Sequence, residues 1–491
     1  MSKFIEDFSL IKKKKNETIG LCHGVFDLIH LGHINHFKEA KKKCDVLVVS
    51  ITADKFIKKG PHQPYFSHFD RANFLSELKP IDFVIISNQS TAEKVLNKIK
   101  PNFYIKGIDY LNQKNDKNLK LEKIACKKNK IKIIYTNSTK FSSTKILNNK
   151  FNLFSDKELK FLKALKKKYK LEKILSIINT LSTKDVSITG EPIIDSYTFV
   201  DVIGTATKAP IITSDFKYKE EHYGGSILVA RFAAEFSNKV NFLIPSKKIK
   251  LNQLNKIFPK NVNVKLFDSM GKIPVKNRYI AHIKKNKLFQ VNFLEEKISM
   301  KSKSFVKILN KLSKKNPLLL IDFGLNMFSK NDKKNLNVSN IYLNTQANSN
   351  NYGFNLFTNY KTNMKYLSIN QRELELVVKT KSNNLDILSK EAIKNKRLPI
   401  SVTLGIKGSI FINKKRKVFY CPNFFPNALD TIGCGDAYYT ISSLLINQGY
   451  DDEIVPFVGN IYAGLHSRIF GNSNIPSKKD LINSIKSFYN F

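Results

Sequence analysis

The segment GVFDLIHLGHINHF (residues 24–37) decides the fold of the first part of the chain. Its first six residues are the end of the apolar run TIGLCHGVFDLI (18–29), which predicts a buried strand followed by a loop. HINHFKEAKKK (33–43) follows as a predicted helix and CDVLVVSIT (44–52) as a second buried strand. The alternation then continues, helix before strand, in FDRANFLSEL (69–78), DFVIIS (82–87), TAEKVLNKIK (91–100), NFYIKG (102–107), KLEKIACKKN (120–129) and IKIIYT (131–136). Strands that alternate with helices predict a parallel sheet with helices on both faces.

Two histidines, His30 and His33, lie at the start of the first predicted helix, with Gly32 between them. Their i, i+3 spacing places both imidazoles on one face of a helix. A helix start presents free backbone N–H groups and a positive dipole, and Gly32 lets a phosphate approach the backbone closely. Such a pair is suited to bind a triphosphate and to stabilise charge that grows on its α-phosphate. From the residues alone, a metal site or two solvated histidines are alternatives.

The chain has 491 residues, which exceeds the size of one compact core. The segment SDKELKFLKALKKKYKLEKILSIINTL (155–181) has apolar residues at helical spacing and predicts a helical linker over 151–184. A second α/β series begins at DVSITG (185–190). Its later strands are predicted at LLLIDFG (318–324), YLSIN (366–370), PISVTLG (399–405) and GSIFIN (408–413). We therefore expect a first domain over 1–150, the linker, and a second domain over 185–491.

A second candidate site lies at DTIGCGD (430–436), which precedes the apolar helical segment AYYTISSLLI. The glycines flank a helix start, so that backbone N–H groups can surround an anion. Asp436 is placed where a carboxylate could take a proton from a substrate hydroxyl. A glycine turn before a buried helix is the structural alternative.

Residues 18–149 resemble the cytidylyltransferase-like nucleotidyltransferase family, whose signature is HxGH after a G-x-F-D strand end. Here the signature is GVFD (24–27) followed by HLGH (30–33). Asp70 and Arg71 match a family position that contributes to the active site. IKGIDY (105–110) resembles the V-K-G-x-D-Y segment of sugar-phosphate adenylyltransferases. FSSTKI (141–146) resembles the I-S-T-[ST]-x-I element, with Phe141 and Ser142 as departures.

This resemblance implies that His30 and His33 are catalytic, because they would hold the triphosphate and stabilise the transition state. The nucleotide-binding residues that it implies are Gly24, Phe26, Asp27, Gly32, Arg71, Lys106, Gly107, Asp109, Tyr110, Ser143 and Thr144. Lys55, Lys58 or Lys59 could contact the substrate phosphate, or could be a solvated surface charge. The attacking group would be the substrate's own phosphate oxygen, and Mg²⁺ would bridge the triphosphate oxygens.

DTIGCGD resembles the D-T-x-G-A-G-D signature of the ribokinase (PfkB-type) sugar kinase family, with Cys434 in place of alanine. VTLGIKGS (402–409) resembles its V-T-x-G-x-x-G nucleotide loop, and NQRE (370–373) its N-x-x-E element, which is associated with Mg²⁺ and phosphate. Three further segments resemble the substrate side of such kinases, namely GEPIID (190–195), GGSILVA (224–230) and PVKNRY (274–279).

The second resemblance implies that Asp436 is the general base and that Gly433, Cys434 and Gly435 form an anion hole. The other nucleotide or anion contacts that it implies are Asn370, Glu373, Thr403, Gly405, Gly408 and Thr431. The implied substrate contacts are Asp195, Gly224, Gly225 and Arg278. Mg²⁺ would bind together with ATP, near Glu373. No side chain is assigned as its ligand. The chain departs from the family at Glu191 (usually aspartate), at Leu228 (often asparagine) and at Leu325 (lysine in heptose kinases).

The formal net charge of +43 comes almost entirely from lysine, which is spread along the chain. We interpret this as a solvated basic surface that steers anionic substrates, and we expect no nucleic-acid partner, although a nucleic-acid-binding protein is an alternative.

No apolar run approaches about 20 residues, and the N-terminus lacks the pattern of a signal peptide. The five cysteines show no CxxC spacing, which indicates reduced thiols. We expect a cytoplasmic homodimer without a membrane partner.

A sugar kinase joined to a nucleotidyltransferase is similar to the bifunctional heptose 7-phosphate kinase and heptose 1-phosphate adenylyltransferase family, with the domain order inverted. The two resemblances together imply two doubly wound parallel-sheet α/β domains, one Rossmann-like and one ribokinase-like. They imply phosphorylation of a sugar or sugar phosphate by ATP and nucleotidyl transfer to a sugar phosphate, for an ADP-heptose-like product. One alternative is a CTP-dependent transferase that makes a CDP-polyol or CDP-sugar. In that case the kinase half would act on an unrelated sugar or serve as a non-catalytic module.

Overall fold

The computed structural model describes residues 3–5, 11, 16–57, 64–108, 117–137, 154–246, 249–294, 302–325, 327–338, 340–349, 351–395 and 397–489. The chain divides into two compact units. One unit runs to Ser155 and includes the chain from Asn483 onward, and the other spans Asp156–Ile482. The expected domain boundary at residue 150 lies outside the described residues.

The first unit alternates strands and helices as the sequence predicts. Its strands are β1 (Lys3–Phe4), β2 (Ile19–Gly24), β3 (Val46–Thr52), β4 (Phe83–Ser87), β5 (Phe103–Gly107) and β6 (Lys132–Thr136). Its helices are α1 (Leu31–Lys41), α2 (His68–Ser76), α3 (Glu93–Ile99) and α4 (Lys117–Lys128). The strands form one parallel sheet in the order β1-β4-β3-β2-β5-β6.

The core of the first unit lies on both faces of this sheet. Alternate residues of β3 belong to different clusters, because Val48 packs with α3 and α4 residues while Val49 packs with α1 and α2 residues. Side chains of a strand point to opposite faces in turn, so a strand that is apolar throughout must be covered on both sides. The chain passes from the carboxyl end of β2 through a short loop to the start of α1, where the two histidines lie.

The second unit begins with the two helices that the sequence places in a linker, α5 (Asp156–Lys168) and α6 (Leu171–Leu181). The Phe161 ring lies 6.0 Å from the rings of Phe424 and Phe457 (centroid to centroid), and Lys168 Nζ is 2.6 Å from an oxygen of Asp452. The predicted helical character is confirmed, but these helices pack on the second unit. The apolar stripe of α5 explains this, since it needs a partner surface.

The other helices of the second unit are α7 (Ser226–Ala234), α8 (Leu251–Asn255), α9 (Ser302–Lys315), α10 (Lys330–Asn335), α11 (Gln371–Val378), α12 (Leu385–Lys394), α13 (Cys434–Asn447), α14 (Ile454–His466) and α15 (Lys478–Tyr489). The last turns of α15 belong to the first unit. The strands of the main sheet are β7 (Val186–Gly190), β10 (Val240–Ser246), β11 (Val262–Met270), β14 (Leu318–Asp322), β15 (Ile341–Thr345), β16 (Met364–Asn370), β17 (Ile400–Thr403), β18 (Ser409–Ile412) and β19 (Val418–Cys421).

This nine-stranded sheet has the order β11-β10-β7-β14-β15-β16-β17-β18-β19. It is parallel from β11 to β17, and β18 and β19 continue it as an antiparallel edge. The predicted strands at 185–190, 318–324, 366–370, 399–405 and 408–413 are all present. The carboxyl ends of the parallel strands, β11 to β17 in the sheet order, form one edge of the sheet, where open α/β folds bind ligands.

A separate four-stranded sheet, which the sequence did not predict, lies in the same unit. Its strands are β8 (Pro192–Thr205), β9 (Ile212–Gly225), β12 (Val275–Ala281) and β13 (Lys287–Phe293), in the order β13-β12-β8-β9. β8 and β12 are parallel, and the two outer pairs are antiparallel. We call it the small sheet.

Candidate functional sites

The first site is built at the start of α1. His30 is the N-cap residue of this helix, and its Nδ1 accepts the backbone N–H of His33 at 3.4 Å. The two imidazoles are stacked, with ring centroids 3.9 Å apart and planes 18° from parallel. Burial lowers the pKa of His30, which favours the neutral form of this imidazole. The predicted pairing on one face is therefore present, and both rings lie beside the N–H groups of the first turn.

Phe26 supports the histidine pair from the strand side. Its ring meets the ring of His33 edge to face at 5.4 Å and the ring of Phe37 at 5.2 Å. A Cβ on Gly24 would lie only 2.9 Å from the Phe26 ring, so glycine provides the space. Phe26 also has a φ of 48°, a conformation that side chains rarely adopt. Gly24 and Phe26 therefore act on His33 through packing.

Arg71 and Asp27 hold the loops around this site together. The Arg71 side chain is buried and donates to the carbonyls of Phe66, Val25 and Thr52 and to Asp54. The Asp27 carboxylate accepts the backbone N–H groups of Tyr65 at 2.8 Å and of Phe66 at 3.0 Å. Both residues hold loops together, and the nucleotide-binding role expected of them stays a prediction. Asp70 lies near the start of α2 and accepts from the N-cap Ser67.

Lys106, which was expected to bind nucleotide, lies in an ion pair, and its expected role stays a prediction. It is buried, and its Nζ lies 3.0 Å from Oε2 of Glu122 on α4. The hydroxyl of Tyr104 donates to the same carboxylate at 2.9 Å. Side chains two residues apart on a strand share a face, so Tyr104 and Lys106 both point toward α4. Gly107 ends β5 beside them.

The remaining residues of the expected first site divide into two groups. Gly32 is buried in the first turn of α1, and Lys55 is exposed in a short 3₁₀ turn. Outside the described residues lie Lys58, Lys59, Asp109, Tyr110, Phe141, Ser142, Ser143 and Thr144. Their expected roles stay predictions.

The second site is a cavity of about 550 Å³ at the carboxyl edge of the main sheet. It lies between that edge, the start of α13 and the small sheet. The expected residues that line it are Asp195, Gly225, Arg278, Asn370, Glu373, Thr403, Gly405, Gly408, Thr431, Gly433, Cys434, Gly435 and Asp436. Segments that are far apart in the chain thus meet around one space.

The start of α13 provides an anion-binding surface in this cavity. Gly433 is its N-cap residue and has a φ of 78°. A Cβ there would lie 2.6 to 2.8 Å from side-chain atoms of Leu228, Asn472 and His466, so only glycine fits. A Cβ on Gly435 would meet nothing within 4 Å, which shows that this residue faces open space. The Cys434 N–H donates to the Thr431 carbonyl at 3.3 Å, and the N–H groups of Gly435 and Asp436, which lie in the first turn, can receive an anion.

Asp436 follows in the first turn of α13 and is 6% exposed. Burial, joined by the negative charge of Asp195, raises the pKa of its carboxyl to about 7. The Lys276 ammonium and a hydrogen bond from Gln346 act in the opposite direction. A base with a pKa close to neutral pH is well matched to accept a proton from a hydroxyl.

The small sheet contributes a second carboxylate, Asp195 of β8. Its Oδ1 lies 2.6 Å from the Arg278 guanidinium of β12, and its Oδ2 accepts Asn472 Nδ2 at 2.7 Å. A Cβ on Gly224 would collide with the same oxygen, which explains the glycine at that position. Asp195 and Arg278, both expected to bind substrate, therefore form a fixed pair at the cavity wall.

Two further cavity residues were missed by the sequence analysis. Lys276, two residues before Arg278 on β12, lies over the Phe323 ring, and burial lowers the pKa of its ammonium. Gln346 follows β15 and donates from Nε2 to Asp436 Oδ1 at 3.0 Å. Lys276 could have been found, because it lies in PVKNRY, a segment that resembles the substrate side of sugar kinases. Gln346 lies in a segment with no recognised motif.

Glu373 and Asn370 form a capping box at the start of α11. One Glu373 oxygen accepts from Asn370 Nδ2 at 2.8 Å and Ala347 N at 3.1 Å, and the other accepts from Asn370 N at 2.7 Å. Burial raises the pKa of Glu373 to about 7. Because both oxygens already accept N–H groups, this carboxylate fits Mg²⁺ as a partner through water better than as a direct ligand.

The departures from the kinase family are accommodated by local packing. Glu191 is fully buried and accepts the backbone N–H groups of Phe323, Leu325 and Met327 at 2.6 to 3.0 Å. Leu325 thus has its backbone tied to Glu191 and its side chain buried. Leu228 is buried in α7 beneath Gly433. The changed side chains fill the interior next to the cavity.

Two absences hold for the described part of the chain. None of its helices is both long and apolar enough to cross a membrane. Nor do three or more His, Cys, Asp or Glu side chains in it come together as a metal site would require.

The first unit, which contains the histidine site, is similar to known proteins in sequence. Residues 21–149 match the model of the Cytidylyltransferase-like family, which confirms the resemblance seen in the sequence. The chain is 37% identical over 115 residues to "Bifunctional protein HldE" of a Nitratiruptor species, and 38% identical over 100 residues to the protein of that name from Paramagnetospirillum magneticum. These alignments cover 22% and 20% of this chain. The chain thus spans only 25% and 20% of the length of these two relatives.

The second unit has the fold of a known kinase. Phosphofructokinase-2 from Escherichia coli, in the crystal structure of a point mutant, superposes with a TM-score of 0.50 at 14% sequence identity. The superposition covers 62% of this chain and 99% of that protein. At this identity the likeness establishes the fold alone, and it agrees with the α/β architecture expected for the second domain.

Proposed function

We propose that the chain is a bifunctional enzyme, a nucleotidyltransferase in its first unit and a sugar kinase in its second. The observation that supports the kinase best is the placement of Asp436. It lies in the first turn of α13, beside open backbone N–H groups, and it faces Asp195 and Lys276 across the cavity. A base, an anion-binding surface and cationic side chains are what phosphoryl transfer to a hydroxyl requires.

In the kinase reaction the acceptor hydroxyl oxygen attacks the γ-phosphorus of ATP. Its proton passes to Asp436, the bond between the γ-phosphorus and the bridging oxygen breaks, and ADP leaves. Gly433, Cys434 and Gly435 hold the transferred phosphoryl group at the helix start. Thr403, Gly405, Gly408 and Thr431 border the nucleotide side, and Asp195, Gly224, Gly225 and Arg278 border the acceptor side. Bound Mg²⁺ would neutralise charge on the triphosphate.

In the transferase reaction a phosphate oxygen of the acceptor attacks the α-phosphorus of a nucleoside triphosphate, and pyrophosphate leaves. His30 and His33, stacked at the start of α1, would bind the phosphates and stabilise the charge that develops. Asp109, Tyr110, Ser143 and Thr144 are proposed to complete the nucleotide site. Gly24, Phe26, Asp27 and Arg71 support it through the loops they hold.

The acceptor is proposed to be a sugar phosphate of the heptose type, and the nucleotide ATP. The similarity to proteins named HldE and the IKGIDY segment support this choice. Lys276 and Arg278 at the cavity wall add cations that would attract a phosphorylated acceptor. CTP is the second candidate nucleotide, since the matching family is named for cytidylyl transfer.

Purified protein incubated with heptose 1-phosphate and either ATP or CTP tests the transferase proposal. We expect pyrophosphate release with ATP. Release with CTP alone would overturn the ADP-heptose assignment and favour a CDP-linked product. For the kinase, heptose 7-phosphate with ATP should give ADP in wild type and not in Asp436→Asn. Failure of wild type to consume ATP with any sugar phosphate tried would identify the second unit as a non-catalytic module.

We also propose that the enzyme works in the cytoplasm as a homodimer, with no nucleic-acid or membrane partner. The small sheet exposes apolar side chains on two strands, among them Ile212 and Phe216 of β9 and Phe289 and Phe293 of β13. These are the two outer strands of the sheet, and exposed apolar patches commonly mark a protein interface. Light scattering should give twice the chain mass, and Phe289→Glu should reduce it. A monomer at all concentrations would refute the dimer.

A further inference from the structure

The loop that follows β15 contacts two carboxylates of the kinase cavity, those of Asp436 and Glu373, through its first residues. Gln346 donates to Asp436 at 3.0 Å, and the next backbone N–H, of Ala347, donates to Glu373 at 3.1 Å. No motif recognised in the sequence includes this segment. Its contacts nevertheless join the proposed base to the N-x-x-E element.

The loop is fixed by its own asparagines. Asn348 and Asn351 each donate from Nδ2 to the carbonyl of Phe323 at 2.7 Å. Asn355 donates to the carbonyls of Asp322 at 2.9 Å and Gln346 at 3.2 Å. The backbone N–H of Gln346 donates to the Asp322 carbonyl at 2.9 Å. Both the N–H and the carbonyl of Gln346 are thus hydrogen-bonded, so the position of its backbone is fixed.

The Gln346 side chain is also held at its far end. Its Nε2 donates to Asn344 Oδ1 at 3.3 Å as well as to Asp436 Oδ1, and Asn344 Nδ2 in turn donates to the Ser368 carbonyl at 2.9 Å. An amide nitrogen has two hydrogens, and both are used. This chain of bonds fixes the direction from which Gln346 approaches the carboxylate.

We propose that Gln346 is the positioning residue of the kinase reaction, which orients the Asp436 carboxylate and keeps it ionised. This inference rests on the proposed kinase function. With Oδ1 held by Gln346, the other oxygen, Oδ2, has no donor among the residues that the structure describes. Oδ2 is therefore the oxygen that receives the proton of the acceptor hydroxyl.

Three charged groups and one hydrogen-bond donor determine how Asp436 responds to pH. Asp195 of β8 and Glu373 of α11 oppose its ionisation, and Lys276 of β12 favours it. Gln346 is the hydrogen-bond donor that reaches the carboxylate. Without that donor, burial and two negative neighbours would keep Asp436 protonated to a higher pH.

The first test is the pH profile of phosphorylation of heptose 7-phosphate by wild type, Gln346→Leu and Gln346→Glu. We expect Gln346→Leu to lower the plateau kcat about ten- to hundredfold, with KM for ATP unchanged, and to move the acid limb upward by about one pH unit. Gln346→Glu should move it further, since two adjacent carboxylates share a proton. Gln253→Leu, on the surface helix α8, is the matched control. A changed KM with an unmoved acid limb would overturn the proposal.

A second readout does not depend on activity. Infrared difference spectra of protein labelled with ¹³C at aspartate, titrated with acid, contain a carboxyl band that Asp436→Asn removes. Its midpoint should lie near pH 7 in wild type and higher in Gln346→Leu. An unmoved midpoint refutes the role of Gln346. A moved midpoint in a chain that phosphorylates no sugar would instead refute the kinase function and leave the contact intact.

Discussion

Replacing Arg71 by leucine should destabilise the first unit more than it weakens nucleotide binding. The buried guanidinium donates to three backbone carbonyls and to Asp54, so leucine leaves four acceptors without their donor. The carbonyl of Thr52 lies in the interior, whereas Phe66 and Asp54 are partly accessible and can recruit water. One unsatisfied buried acceptor costs about 1–3 kcal/mol, and breaking a largely buried ion pair about 3–5 kcal/mol. With solvent reaching Asp54, we expect a loss of about 3–4 kcal/mol.

Urea unfolding of the full chain measures this loss, and hydrogen exchange with mass spectrometry assigns it to one unit. Faster exchange in β2, β3 and the loop before α2, with unchanged exchange in the main sheet of the second unit, is the expected pattern. Arg71→Lys should lose less, because it keeps the charge but not the planar set of donors. Lys394→Leu, which removes a surface ion pair with Glu391, is the control and should change nothing measurable. A stability loss below about 1 kcal/mol, together with a raised KM for the nucleotide, would show that Arg71 contacts nucleotide directly.

Three further predictions concern the ion pair of the first unit and the kinase cavity. Lys106→Met should cost about 3 kcal/mol in urea unfolding, because Glu122 is left buried without its cation, and adding Glu122→Leu should recover part of it. The phosphorylation rate should fall about tenfold per pH unit below pH 7, because protonated Asp436 cannot accept the hydroxyl proton. Gly433→Ala should lower phosphorylation and stability together, by about 1–3 kcal/mol in unfolding, since its Cβ meets three side chains.

Each of these has an outcome that contradicts it. An unchanged melting curve for Lys106→Met would mean that the ion pair with Glu122 contributes nothing. A rate that stays flat from pH 8 to pH 5 would exclude Asp436 as a base with the expected pKa. Full activity in Gly433→Ala would show that the start of α13 can shift without harm.

The sequence predicted the parts of the molecule whose chemistry is local. His30 and His33 lie on one face because a helix has a fixed period, and DTIGCGD begins a helix because its glycines permit the turn. Five of the six strands of the first sheet and five of the nine strands of the main sheet were found, because a strand buried on both faces is apolar along its whole length. These features depend on neighbours in the chain.

The parts that were missed depend on residues far apart in sequence. The small sheet has strands with polar exposed faces, such as KYKEEH within β9, so no continuous apolar run marks it. Arg71 and Lys106 match family positions, but the sequence does not show that they are buried. Arg71 is buried by the loops to which it donates, and Lys106 is buried beside Glu122 of α4. Gln346 reaches Asp436 across 90 residues of chain. Such contacts depend on how the strands are arranged in the folded chain, which the local sequence does not show.

The central claim is that two separate chemistries reside in the two units, and paired substitutions in the full chain test it most directly. Pyrophosphate release from ATP or CTP with heptose 1-phosphate, and ADP formation with heptose 7-phosphate, are measured in His33→Ala and in Asp436→Asn. His33→Ala should abolish pyrophosphate release and keep ADP formation. Asp436→Asn should lower ADP formation about 10²- to 10⁴-fold and keep pyrophosphate release. Loss of both activities from either substitution alone, or ADP formation that survives Asp436→Asn, would contradict the claim.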